Sequence, residues 1–156
     1  LIFEGIAMGI QPIASFNAGA GNWQRVLRVR NLALGVTLLV ALCGMIPLYL
    51  WPEGVVYLFA GDNAALLPVA SLGIWLYFWG LPMEGLILVG ASFFQAINCS
   101  KQASILTGAK LILIAAIIYC FAWAFGVIGV WISLATCSTL LVIWMFIAMQ
   151  RLKIKA

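Results

Sequence analysis

Glu84 stands in the stretch "WGLPMEGLIL" and Glu4 in "LIFEGIAMGI", two acids set in almost wholly apolar surroundings. A charged acid at the centre of a membrane helix costs about 2.5–3.5 kcal/mol on insertion scales. Such a carboxyl therefore changes state readily: it ionises when water reaches it and takes up a proton or a small cation when sealed. No basic residue is expected at the depth of Glu84, so burial favours its neutral form. Around a helical axis, Gln11 falls about 20° to one side of Glu4 and Ser15 about 20° to the other. Glu4, Gln11 and Ser15 thus form a polar stripe, which in lipid must face protein or water. Tyr77, Glu84 and Gln95 share a face in the same way, provided the helix continues past Gly80 and Pro82. Blander roles stay open for each. Glu84 would serve as well to hydrogen-bond the backbone freed by Pro82, and Tyr77 to pack.

Other chemistries are excluded by what the chain lacks. It has no His and no CxxC, and its four cysteines are Cys43, Cys99, Cys120 and Cys137, of which only Cys99 falls outside an apolar run. Neither a disulfide framework nor a metal cluster is indicated. A Na⁺ ion at Glu84 is the one metal reading. No Ser–Lys pair is expected at depth, so an enzyme is not expected, nor any cofactor beyond a coupling ion, H⁺ or Na⁺. Gly19 and Gly21 are not a phosphate loop, because no GK[ST] follows them. No nucleic-acid partner is implied.

The elements that must position these residues follow from composition. The chain is 66 % hydrophobic and 8 % charged, against about 25 % charged in globular domains. Its solvent is therefore lipid, and the bilayer is its first partner. Residues 31–52, 63–83 and 111–150 carry no charge at all, and about 20 apolar residues cross a bilayer core. The runs lack the alternation of barrel strands. The expectation is an all-α, polytopic transmembrane helical bundle. Its spans lie near 1–17 (partial), 31–51, 65–98 (bent at 80–85), 105–123 and 127–149, giving four full crossings and one partial. "AFGVIG" is the hairpin between the last two.

Loop charge orients the bundle. With 65–98 as one bent crossing, the segments 18–30 (Arg25, Arg28, Arg30), 99–110 (Lys101, Lys110) and the tail (Arg151, Lys153, Lys155) share one side. Glu53 and Asp62 fall on the other. The positive-inside rule makes the basic side cytoplasmic, which puts the C-terminus of a multi-pass protein of the inner or plasma membrane in the cytoplasm. "NWQRVLRVRN" reads as an amphipathic connector, with Trp23 suited to the headgroup layer.

"QPIASFNAGAGNWQRV" (Gln11–Val26) resembles the elbow after the eighth helix of the multidrug and toxic compound extrusion (MATE) transporters, roughly Q-P-I, then N-x-G-A-G, then R-V. "LFAGD" at 58–62, "FFQAI" at 93–97 and "FGVIGVW" at 125–131 fit in the same order. The resemblance implies a partial C-terminal lobe over residues 1–156, about helices eight to twelve, and a missing N-terminal half as partner; the absence of an initiator Met suits a piece of a longer protein. It implies an antiporter exporting xenobiotics, with small organic cations as cargo. It also implies an elbow carried by Asn17, Gly19, Gly21 and Arg25, and cation coupling at Glu84, close to the tenth-helix acid of many relatives. Glu4, Gln11, Tyr77 and Gln95 complete the expected cavity. Two positions depart: relatives carry a proline and an acid in the last helix where Ala135 and Ser138 stand here. Two other readings remain. A lipid-linked-oligosaccharide flippase of the same superfamily would want a basic residue at mid-depth, and none is expected. A truncated or degenerate membrane protein would not transport.

Overall fold

A computed structural model describes residues 1–61 and 66–152; Asp62, Lys153 and Lys155 lie outside the described residues. The elements are α1 (Ile2–Gly19), α2 (Trp23–Leu50), α3 (Pro52–Ala60), α4 (Leu66–Tyr77), a 3₁₀ turn (Phe78–Gly80), α5 (Leu81–Ala96), α6 (Ser100–Phe125) and α7 (Val127–Arg151). No strand occurs among the described residues. Four segments are long and apolar enough to cross a membrane: Trp23–Leu50, Leu66–Ala96, Ser100–Phe125 and Val127–Arg151. The protein is an all-α polytopic bundle.

Two boundaries differ from those the sequence suggests. The turn after α1 occupies only residues 20–22, so Arg25, Arg28 and Arg30 ride on the first turns of α2 rather than in a connector. A Schellman motif makes this short turn sufficient: Gly21 N–H bonds to Ala18 O at 3.1 Å and Asn22 N–H to Asn17 O at 2.8 Å. Gly21 takes φ +73° there, a conformation that costs a side chain about 1–2 kcal/mol. The same device closes α5. Asn98, at φ +62°, bonds to Gln95 O at 3.1 Å, and Cys99 N–H bonds to Phe94 O at 2.8 Å. That stop lets α6 begin at Ser100 rather than near 105, which sets Lys110 ten residues inside the helix.

Leu66–Ala96 is interrupted by the 3₁₀ turn at Phe78–Gly80. Pro82 follows in the first turn of α5, where its missing N–H leaves no bond unmade. α5 is the hub of the bundle and packs against α1, α2, α6 and α7. Leu86, Val89, Phe93 and Phe94 bury one another's surroundings with Ile10 and Ala14 of α1, Leu106 of α6, and Leu141 and Met145 of α7. Gly85 shows why small residues are needed on this hub. A Cβ there would lie 2.8 Å from Thr37 Cγ2 of α2 and 3.1 Å from the Phe3 ring of α1. By contrast α6 buries only Ala103 and Leu106. Its outer face, with Leu111, Ile112, Tyr119 and Trp123, is the surface a lipid-facing helix presents.

Helix direction collects the basic residues. The ends of α1 and α5 meet in one cleft, and the start of α2 meets the end of α7 around a second hollow lined by Leu27, Arg30, Met149 and Gln150. Arg25, Arg28, Arg30, Lys101 and Arg151 therefore lie at one end of the bundle, and Glu53 at the other.

Candidate functional site: an ion-paired carboxylate at mid-depth

Glu84 sits in the first turn of α5 with both carboxylate oxygens engaged. Lys110 Nζ of α6 donates to Oε2 and forms an ion pair with it. Ser138 Oγ of α7 donates to Oε1, sharing its single proton with Leu134 O at 2.9 Å. At 1.5 Å per residue, Glu84 lies about 18 Å from the end of α5, Lys110 about 15 Å from the start of α6 and Ser138 about 20 Å from the end of α7. The three therefore meet near the middle of the crossing. The level is shared by two more helices, since Phe3 of α1 and Thr37 of α2 close on Gly85. The pair is not sealed in: 26 % of the Glu84 side chain and 28 % of Lys110 remain exposed.

This geometry corrects the expectation that nothing basic lies at the depth of Glu84. Lys110 does, because it stands ten residues inside α6. An acid and an ammonium at membrane depth compensate each other, and each alone is costly. The bonding also differs from the blander reading in which Glu84 caps the backbone freed by Pro82: its partners come from two other helices. Ser138 occupies the place where the resemblance puts an acid in the last helix. Its neighbours behave otherwise, for Ser133, Thr136 and Thr139 bond to Val130 O, Ile132 O and Ala135 O of their own helix.

A cleft of about 820 Å³ opens between α1 and the end of α5 at the basic end, lined by Gln11, Ser15, Trp23, Gln95 and Asn98 among others. The structure thus divides the cavity expected from sequence. Gln11 and Gln95 come together in this cleft, with Gly19 of the elbow at its edge. Glu84 does not line it, and lies about 16 Å from Gln95 along α5. Tyr77 neither lines the cleft nor bonds to Glu84; its ring packs edge-on against Phe78, with centroids 5.4 Å apart. Glu4 reaches the level of Glu84, but its side chain is 59 % exposed and does not join the Lys110–Glu84–Ser138 cluster.

The remaining elbow residues do local work. Asn17 is buried and donates from Nδ2 to Ile13 O at 2.8 Å. Arg25 is exposed on the first turn of α2. Arg30 is the better-held arginine: its Nε and Nη2 bond to Asn31 Oδ1 at 3.0 and 2.8 Å, and its guanidinium lies 5.9 Å from the Phe93 ring centroid. No group of three or more His, Cys, Asp or Glu side chains able to hold a metal occurs among the described residues.

Sequence reasoning missed Lys110, Trp23 and Asn98 as site residues. The signal for Lys110 was present: an acid inside a span needs a compensating charge, and the run 100–125 holds no proline that would keep Lys110 in a loop.

Ionisable residues at membrane depth mark ion or substrate pathways by default, and here they sit on a polytopic bundle. The MatE family model matches residues 1–122, and the chain belongs to that family of membrane transporters. No curated protein matches the chain, and no solved structure does.

Proposed function

We propose that the chain is part of a secondary active exporter that trades H⁺ or Na⁺ for small organic cations. The observation that supports this most is the Glu84 site, a mid-depth carboxylate held by an ammonium and a hydroxyl from two other helices. Ionisable groups at such depth are costly and belong by default to ion pathways. A carboxylate held by partners that can let go is what cation exchange requires.

The cleft supplies the cargo side of the reading. Its volume of about 820 Å³ falls in the range of small-molecule pockets, about 300–1,000 Å³. Trp23 offers an aromatic face to a cation, and the amides of Gln11, Gln95 and Asn98 offer orienting polar groups. Among the described residues no acid lines the cleft, so α5 is the element that links cargo to cation, with Gln95 near one end and Glu84 near the other. Rocking of this lobe against the rest of a two-lobed transporter would alternate access.

Orientation follows from charge. The end that gathers Arg25, Arg28, Arg30, Lys101 and Arg151 is the cytoplasmic one by the positive-inside rule. The C-terminus is then cytoplasmic in an inner or plasma membrane, and the cleft opens where an exporter collects its cargo. A lipid-linked-oligosaccharide flippase gains one observation, the mid-depth Lys110. That ammonium is engaged by Glu84, which leaves it unavailable to a pyrophosphate while the pair stands.

The test is efflux of a fluorescent organic cation from cells carrying the full-length protein. Glu84→Gln should lower the efflux rate at least tenfold at unchanged membrane abundance. Undiminished efflux would remove Glu84, and the exchange mechanism with it.

A further inference from the structure

Resting on the exporter reading, we propose that Lys110 is the resident cation of the exchange site: a tethered ammonium that occupies Glu84 until a transported cation displaces it.

The geometry that carries this is the filling of the carboxylate. Lys110 takes Oε2 and Ser138 takes Oε1, so an incoming cation meets no unpartnered oxygen. Lys110 is held on α6 about 15 Å from the nearer helix end. The Glu84 carboxylate compensates it at that depth. Its partner is set by the fold and its position by a flexible four-carbon stem, so it can withdraw without any helix moving. A quarter of each side chain is open, which leaves a path for the exchange.

The surroundings make Lys110 the cation that counts. α2 carries no charge from Asn31 to Leu50, and α7 none from Val127 to Gln150. The titratable group α7 adds is the Cys137 thiol, 4.0 Å from the Lys110 carbonyl oxygen. On α1, Glu4 stands at the same height but does not join the cluster. Tyr77 precedes the 3₁₀ turn and packs on Phe78. When a proton arrives at Oε2, the ammonium keeps its three protons and the local charge rises from zero to +1. That surplus charge favours movement of Lys110 away from the neutral acid, and the reverse step restores the pair. Lys110 is thus a specificity-determining residue, setting how strongly a cation must compete to enter.

Dicyclohexylcarbodiimide tests this directly, since it adds to the protonated form of a membrane carboxyl. The full-length protein in nanodiscs is labelled across a pH series, and the Glu84 peptide is quantified by mass spectrometry. Lys110→Met should extend labelling upward by at least one pH unit, because the ionised carboxylate has lost its cation. Lys110→Arg should keep the wild-type profile. Lys110→Gln retains a donor without the charge, so it should shift like Lys110→Met and serves if that variant does not fold. A Lys110→Met or Lys110→Gln profile that overlays wild type, in protein of normal elution, overturns the inference. The readout needs no transport: a shifted profile with undiminished efflux in Glu84→Gln would leave the Lys110–Glu84 pairing standing but overturn its displacement by a transported cation, and with it the exchange at Glu84.

Discussion

Lys110 of α6 and Glu84 of α5 are joined in an ion pair although 26 positions separate them and α6 is otherwise the least buried long helix of the bundle. A helix that offers lipid most of its surface thus contributes one charged side chain inward. Ser138 brings α7 to the same carboxylate. Three helices that could slide past one another are pinned at one level.

Ser138→Ala removes one hydrogen bond to a charged acceptor, worth about 1.5–3 kcal/mol in general; partial exposure puts the expectation at the low end. Efflux should fall about tenfold with normal membrane insertion, since about 1.4 kcal/mol is a factor of ten in rate. Thr139→Ala, which loses only a bond to Ala135 O within its own helix, should change efflux less than twofold. Equal effects of the two would deny Ser138 its role at Glu84.

Close packing at the level of the site is tested by Gly85. In Gly85→Val, the branched side chain would run into Thr37 and Phe3, an overpacking that costs typically 1–3 kcal/mol. Detergent-solubilised protein should melt several degrees lower. Gly108→Ala on α6 meets nothing within 4 Å, and replacing a helical glycine there should stabilise by about 0.4–1 kcal/mol. A higher melting temperature for Gly85→Val would contradict the packing described.

The architecture was legible in the sequence for a simple reason. Apolar runs of more than 20 residues have few alternatives to membrane helices, and the charge-free windows mark them directly. Gly21 and the "NAGAGN" elbow announced a turn, and Gln11 and Gln95, picked out as polar exceptions in apolar helices, do meet in one cleft. What stayed hidden was the join between elements. Counting Lys110 as a loop marker assumed that a basic residue lies at the edge of a span; the Schellman stop at Asn98 lets α6 start at Ser100, so that residue sits ten residues inside it. Tyr77 shared a helical face with Glu84 only on paper, because the 3₁₀ turn at Phe78–Gly80 breaks the register between them.

Cys99, in the turn between α5 and α6, reports topology. Burial pushes its thiol up from the ordinary value, so less of it is thiolate near neutrality, and alkylation should accelerate as pH rises above 8. A membrane-impermeant maleimide should label it in inside-out vesicles and leave it untouched in intact cells. Labelling from outside intact cells would reverse the orientation assigned to the basic end.

Coupling itself is most directly measured in proteoliposomes holding the full-length protein, with an imposed H⁺ or Na⁺ gradient and a fluorescent organic cation as cargo. The wild-type protein should accumulate cargo against its gradient only when one of these ion gradients is present. Glu84→Gln should still bind cargo in the cleft yet leave it at equilibrium whatever gradient is applied. Gradient-driven accumulation by Glu84→Gln at the wild-type rate would contradict the account.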